Sequence, residues 1–145
     1  MSDEKEIQLA SELRFIIGRL SKKIRKTSGT AEKLSLTERS TMALIFQHEE
    51  ILPNELAAME KITTQSMSQI LSNLLNLGLI KRRISQQDKR KVIISLSEAG
   101  ISLIHKSRSE KDEWLSRALE ATCTAEEQEI MKKALAPLAK LVDFD

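Results

Sequence analysis

Residues 63–77, with the sequence TTQSMSQILSNLLNL, contain hydroxyl, amide and apolar side chains but no ionisable group. This is unusual in a chain of which 30% is charged, because exposed helix faces ordinarily carry Glu and Lys. At helical spacing the apolar side chains share one face, namely Met67, Ile70, Leu71 and Leu74, and the polar ones lie opposite. Amides pair with the edge of adenine, and hydroxyls bond to base edges or phosphates. The segment therefore predicts a helix that reads DNA in the major groove; the alternative is a polar helix covered by its own protein.

Cationic residues are concentrated in two short segments. The chain has a net charge of +2, yet residues 19–33 and 78–96 each carry six cations against one acid, a net charge of +5. Narrow minor grooves and phosphates attract Arg in particular. The distribution predicts a surface that binds a polyanion, the alternative being a solvated charged face. In the second segment we expect the cations to supply affinity while the uncharged helix reads sequence.

Asp88 is the one acid in residues 78–96, and it would repel a phosphate unless it has a structural task. We predict that it pairs with Arg90 or Arg82 and orients the basic segment; the alternative is a surface ion pair worth under about 1 kcal/mol. The predicted DNA-binding residues of both segments are Thr63, Thr64, Gln65, Ser66, Ser68, Gln69, Ser72, Arg82, Lys89, Arg90 and Lys91.

Residues that could support other chemistry are isolated. His48 and His105 have no partner at metal-ligand spacing, and neither a glycine-rich phosphate loop nor a nucleophile elbow is present. We therefore expect no enzyme, no metal and no cofactor. Two regulatory alternatives stay open: a zinc sensor that uses His48, Glu49, Glu50 or His105, and an oxidant sensor at Cys123.

The composition indicates one small domain built from long helices. The chain has 145 residues, 41% of them hydrophobic, with four Gly and two Pro, which is too few turn residues for a β-sandwich or barrel. Its single Cys fits a reducing compartment. No apolar run approaches the roughly 18 residues of a membrane span, and the N-terminus lacks a signal-peptide pattern. We expect a cytoplasmic protein that binds no membrane.

The predicted elements follow the order helix, helix, short helix, helix, hairpin, helix, helix. Apolar spacing predicts the first helix over residues 7–24, and capping signals, Pro53 and Gly78 bound the others. Those helices are predicted over 35–48, 53–60, 63–78, 97–119 and 124–142, and the strands over 79–84 and 91–96. The fold class is therefore mainly α with a small β-hairpin (α+β), arranged as a winged helix-turn-helix.

This arrangement resembles the multiple antibiotic resistance regulator (MarR) family. Residues 88–100, DKRKVIISLSEAG, are similar to that family's signature D-x-R, five residues, L-[TS]-x-x-G. Leu36 and Thr37 are similar to the start of its second helix, and residues 78–82 to the end of its helix-turn-helix. The resemblance covers essentially the whole chain.

The resemblance implies a homodimeric regulator, usually a repressor, that binds a pseudo-palindromic site on double-stranded DNA. Residues 1–33 and 97–145 would form the dimerisation region and residues 34–96 the DNA-binding region of one compact domain. A small aromatic or anionic effector is also implied, in a crevice lined by Phe15, Ile16, Arg19, Met42, Phe46, His48 and Trp114; the alternative is that these aromatics are core. A redox- or metal-responsive regulator of the same fold and a winged-helix protein-interaction module are the remaining hypotheses.

Two positions depart from the family pattern. Lys61 stands where the helix-turn-helix often has glycine, and a left-handed conformation there would cost about 1 kcal/mol. Leu52 replaces the hydroxyl cap usual before Pro53, so the short helix is expected to begin loosely or to use Asn54 as its cap.

Overall fold

The computed structural model describes residues 2–29 and 33–145. Its elements are α1 (Ser2–Lys26), α2 (Leu36–His48), α3 (Pro53–Glu60), α4 (Thr64–Asn76), β1 (Ile80–Ile84), β2 (Val92–Leu96), α5 (Glu98–Thr122) and α6 (Ala125–Val142). These elements confirm the predicted α+β winged helix-turn-helix. Two compact units are present: Ser28–Ser109, and the residues up to Thr27 together with Glu110–Asp145. Within the described ranges, no helix is long and apolar enough to cross a membrane.

Side chains that accept from free backbone amides mark where three of the helices begin. Ser35 Oγ accepts from the Glu38 amide at 3.1 Å, and the Glu38 carboxylate accepts from the Ser35 amide at 2.9 Å. Thr124 and Glu127 form the same reciprocal pair, and Thr63 Oγ accepts from an amide at 3.0 Å. Each such cap contributes about 1 kcal/mol. The predicted starts of α2, α4 and α6 are confirmed.

The two departures from the family pattern have different outcomes. The sequence predicted a loose start or a cap by Asn54. Leu52 provides no side-chain cap for α3, and Asn54 lies inside the helix and not at its N-cap. The Glu55 carboxylate instead accepts from the Leu52 amide at 3.2 Å, because an acid three residues into a helix reaches back to the N-cap. Lys61 ends α3 in the left-handed conformation, with φ 56° and ψ 43°.

Several elements differ in length from the prediction. α1 extends beyond residues 7–24 at both ends because acids in its first turn and cations in its last turn suit the helix dipole. These polar turns have no apolar periodicity and were therefore not predicted. α5 extends to Thr122, past the predicted end near residue 119, and each strand begins one residue later than predicted.

The core of Ser28–Ser109 is formed by apolar side chains from three helices and the hairpin. Met42 and Ile45 on α2, Leu56 on α3, and Met67 and Leu74 on α4 are each at most 2% exposed. Burial of each contributes about 1.5–3 kcal/mol. Because α4 buries this face, its polar side chains must lie on the outside.

The hairpin is a two-stranded antiparallel sheet in which Ile80 pairs with Leu96 and Ile84 with Val92. Ile51 adds a short third pairing. Its amide donates to the Ile94 carbonyl at 3.0 Å, and the Ile94 amide donates to the Ile51 carbonyl at 2.8 Å. The hairpin is therefore attached to the segment that follows α2.

A close contact joins the end of the helix-turn-helix to the start of α5. Ser97 Oγ donates to the Gly78 carbonyl at 2.5 Å and accepts from the Gly100 amide at 3.0 Å. Gly78 has a φ of 73°, a conformation that favours glycine. A Cβ on Gly100 would overlap the carbonyl oxygen of Leu79. In the L-[TS]-x-x-G signature, Ser97 therefore caps α5, and Gly100 leaves room for the backbone carbonyl of Leu79.

We expect Gly100→Ala to lower the free energy of unfolding by about 1–3 kcal/mol, because the added methyl group meets rigid backbone. Gly29→Ala is the matched control, since a Cβ there meets no atom within 4 Å, and its effect should stay within about 0.5 kcal/mol. Urea denaturation at one protein concentration measures both. Equal stability of the two variants would contradict the assignment.

Candidate nucleic-acid interface

The polar side chains of α4 form an exposed face. Met67, Leu71 and Leu74 point into the core, whereas every predicted DNA-binding residue at this helix is exposed: Thr63, Thr64, Gln65, Ser66, Ser68, Gln69 and Ser72. Thr63 Oγ also donates to Ser66 Oγ at 2.9 Å, so these two hydroxyls are engaged in the cap. The free amides and hydroxyls therefore lie farther along the helix, where they can reach a bound molecule.

A concave surface of about 330 Å³ brings α4 together with the loop of the hairpin. Thr64 and Ser68 line it from the helix, and Arg90 and Lys91 line it from the loop. An adjoining concavity is lined by Ser68 and Ser72 of the helix and by Arg82 of β1, among others. Residues far apart in sequence thus share one surface.

Other predicted residues are exposed without lining these two concavities. Gln65 and Gln69 lie on the outer side of α4, and Lys89 lies in the hairpin loop. Their exposure leaves the two amides and the ammonium group accessible to a partner.

The carboxylate of Asp88 organises the hairpin loop. It accepts from the Arg90 amide at 3.1 Å and from Arg90 Nε at 3.2 Å, so Arg90, rather than Arg82, is its partner. The backbone carbonyl of Asp88 also accepts from the Lys91 amide at 2.9 Å. The bonds from Arg90, side chain first and backbone second, lower the pKa of Asp88, and the charge of Lys91 adds to the effect. The Arg90 side chain nevertheless stays 91% exposed.

Arg83 forms an ion pair, which distinguishes it from its neighbour Arg82. Its Nη2 donates to both carboxylate oxygens of Glu50, at 3.1 and 3.0 Å. Successive side chains of a strand point to opposite faces, so Arg82 faces the polar residues of α4 while Arg83 faces Glu50. Sequence reasoning did not find this role of Glu50, since 33 residues separate the partners and no local pattern links them.

The residue before Glu50 holds an unusual conformation. Glu49 has φ 65° and ψ −55°, and the Glu50 amide donates to the His48 carbonyl at 2.7 Å. This is a γ-turn with positive φ, which costs about 1–3 kcal/mol in a non-glycine residue. Glu49 also lines an apolar concavity of about 390 Å³ together with Ile45, Phe46, Ser95, Leu96 and Ile101. A strained residue therefore lies between this concavity and the Glu50–Arg83 ion pair.

The predicted effector residues are distributed over both units. In Ser28–Ser109, the Phe46 ring meets the His105 ring edge-on at 5.6 Å and the Arg108 guanidinium at 4.7 Å. His48 is exposed, and Met42 belongs to the core. In the other unit, the Arg19 guanidinium lies 5.5 Å from the Phe15 ring centre, Ile16 is exposed, and Trp114 is half-buried.

The remaining sensor candidates are placed as follows. Over residues 2–29 and 33–145, no three His, Cys, Asp or Glu side chains are grouped so that they could hold a metal ion. Cys123 is half-buried in the connection between α5 and α6, with its Sγ 3.5 Å from Thr122 Oγ.

Known proteins match this chain in sequence and in structure. A family model described as "Transcriptional regulator SarA/Rot" matches residues 19–106. An uncharacterised HTH-type transcriptional regulator of Mycobacterium bovis is 29% identical over 140 residues, 97% of this chain and 96% of its own length. A putative transcriptional regulator of Pseudomonas aeruginosa has a TM-score of 0.82 at 26% identity, covering 97% of this chain and 98% of that one.

Two further structures bear on DNA binding and on the fold. A mutant of Staphylococcus aureus MepR bound to an oligodeoxyribonucleotide has a TM-score of 0.71 at 25% identity, with 92% of this chain and 97% of that one covered. A mutant of MarR from Escherichia coli has a TM-score of 0.68 at 18% identity, with 88% and 96% covered.

Proposed function

The chain belongs to the SarA/Rot family of transcriptional regulators, and we propose that it binds a pseudo-palindromic DNA site as a homodimer and represses transcription there. The predicted MarR-like winged helix is confirmed, and the matched family and curated relatives are transcriptional regulators. The proposal depends mainly on one observation, the surface that Thr64 and Ser68 share with Arg90 and Lys91. The similarity to MepR, which was solved with an oligodeoxyribonucleotide, supports it.

In the proposed complex α4 lies in the major groove and reads base edges. Gln65 and Gln69 are free to pair with adenine, and Ser68 and Ser72 to bond to base edges or phosphates. Because this helix carries no acid, it does not repel the phosphates of a bound duplex. Sequence preference therefore comes from hydrogen bonds of neutral groups.

The hairpin loop supplies affinity in this arrangement. Lys89, Arg90 and Lys91 approach the minor groove and the phosphates, while Asp88 holds the loop in shape through the Arg90 amide. Arg82 approaches from the α4 side of β1. Arg83 is not among these DNA-contacting cations, because both of its side-chain hydrogen bonds go to Glu50.

DNA binding is tested with a duplex from upstream of the chain's own gene and a scrambled duplex, by fluorescence anisotropy at several salt concentrations. Gln69→Ala should reduce discrimination between the duplexes by about 1–3 kcal/mol. Arg90→Ala should weaken binding to both duplexes and lower the salt slope by about 1 per protomer, because each protomer of the variant neutralises one phosphate fewer.

Arg83→Ala is the matched control on the same hairpin and should leave affinity and slope unchanged, because an exposed ion pair contributes under about 1 kcal/mol. If the wild-type chain bound both duplexes equally, sequence-specific regulation would be refuted. Equal losses of affinity in Arg83→Ala and Arg90→Ala would refute the assigned faces of the hairpin.

Exposed apolar residues of α1 and α6 support the dimer. Ile7 and Phe15 are 68% and 60% exposed, and Ile130 and Leu135 are 66% and 64% exposed. Apolar surface of this extent ordinarily marks an interface. A two-fold dimer would set two α4 helices about 34 Å apart, one turn of DNA.

We expect sedimentation velocity at micromolar concentration to give twice the chain mass of 16.4 kDa. Leu135→Glu should shift the chain to monomer because it buries a charge at the interface. Met59→Glu, which also replaces an exposed apolar side chain but lies on α3, should stay dimeric. A monomeric wild-type chain would contradict the proposal.

Relief of repression by a small aromatic or anionic effector is part of the proposal. The apolar concavity at Phe46 is large enough for one aromatic ring, and its lining residue Glu49 precedes the Glu50 that holds Arg83 of the hairpin. A ligand that displaces Glu49 would move the turn that leads to Ile51, whose pairing with Ile94 attaches the hairpin. Regulation then passes through a turn that already stores strain.

Repression and its relief are tested with a reporter gene behind the chain's own upstream DNA, using benzoate as the aromatic anion. Deletion of the regulator should raise expression, and benzoate should raise it only when the regulator is present. Phe46→Ala should abolish the benzoate response with DNA affinity intact, whereas Phe144→Ala, at an 83% exposed position, should retain it. Lower expression after deletion would instead indicate an activator, and an unchanged response in Phe46→Ala would place the effector elsewhere.

A further inference from the structure

A row of cations on the second half of α1 has no role in the proposed function so far. Arg19, Lys22, Lys23 and Lys26 recur at steps of three and four, so they lie on one face of the helix. All four are exposed, and residues 13–29 contain no acid. We call these four residues the α1 stripe.

Ion pairs among the described residues do not account for the stripe. In the described ranges, the ion pairs are Arg83–Glu50 and Arg90–Asp88, and neither involves the stripe. Cations in the last turn of a helix are favoured by its dipole, but that effect falls off within one turn and does not reach Arg19 or Lys22. Like charges three and four residues apart repel each other and weaken the helix. The arrangement is therefore unfavourable until an anion binds.

We propose that the α1 stripe binds backbone phosphates of duplex DNA outside the base pairs contacted by α4 and the hairpin. This inference rests on the proposed function and extends its contact surface. The stripe rises roughly 10 Å along the helix, a length over which duplex DNA carries about six phosphates. Contacts of this kind add affinity without reading sequence.

The apolar side of α1 favours DNA over an anionic membrane as the partner of the stripe. A membrane-surface helix must insert a free apolar face opposite its cations, whereas Ile17 and Ile24, opposite the stripe, belong to the apolar side of α1 that the proposed dimer would cover. Binding to a phosphate backbone requires only the cations of the stripe.

The test compares the shortest duplex that shows full sequence preference with the same duplex lengthened by about one helical turn at each end. The variant is Lys22→Gln/Lys23→Gln/Lys26→Gln, and the matched control is Lys132→Gln/Lys133→Gln/Lys140→Gln on α6, which loses the same charge from exposed lysines. Sedimentation and thermal unfolding establish that both are folded dimers.

We expect the wild-type chain to bind the long duplex about ten-fold more tightly at low salt, with a salt slope steeper by roughly 3 per protomer. The stripe variant, which keeps Arg19, should lose most of the added affinity for the long duplex and bind the short one as the wild type does, and the control should behave as wild type. Equal losses of affinity in the two variants, or a wild-type chain indifferent to duplex length, would overturn the proposal.

Two more outcomes would also overturn it. If phosphatidylglycerol vesicles bind the wild-type chain but not the stripe variant, and DNA binding is unaffected, the stripe is a membrane surface. If the wild-type chain shows no preference on the short duplex, the proposed function itself fails. A loss confined to the long duplex therefore separates the stripe from the machinery of α4 and the hairpin.

Discussion

The burial of one face of α4 is the constraint on which the rest of the DNA-binding surface depends. Met67 and Leu74 are fully buried against α2, α3 and the hairpin, and a helix rotated by a quarter turn would lose these contacts. The orientation of the helix, and with it the outward direction of Gln65, Gln69 and the serines, is therefore set by packing. Hydrophobic burial, which is not directional in itself, becomes directional because only one face of α4 is apolar.

The strands of the hairpin bury Ile80, Ile94 and Leu96 in the core, whereas its loop depends on polar contacts. The loop has no apolar side chain to bury, and Asp88 holds it by accepting from the backbone amide and the guanidinium of Arg90. The carboxylate that would otherwise repel phosphate thus fixes the backbone that presents three cations. Glu50 has the opposite effect on Arg83, because both hydrogen bonds of that side chain go to the Glu50 carboxylate, on the face away from α4. Asp88 thus leaves the Arg90 side chain exposed, whereas Glu50 holds Arg83 away from α4.

Local signals in the sequence predicted the fold well because capping, periodicity and turn residues act over a few positions. The capping pairs of Ser35 with Glu38 and of Thr124 with Glu127 are such cases. The polar face of α4 followed from its lack of charge. The Glu50–Arg83 pair and the strained turn at Glu49 could not be predicted, because each depends on how distant segments meet. The bond at the start of α3 was not predicted either, in which Glu55, three residues into the helix, accepts from the Leu52 amide.

The near-zero net charge of the chain conceals a division of labour between affinity and specificity. Electrostatic attraction is long-ranged and insensitive to sequence, so cations placed on α4 would strengthen binding to every duplex and blur its preference. Here the two concentrations of cations lie on the hairpin and on α1, and α4 has none. Hydrogen bonds from neutral amides discriminate only at contact distance, so each contributes chiefly where the bases match. With the acids elsewhere balancing the sum, the proposed complex would bind phosphates at two basic surfaces while the neutral helix discriminates between sites.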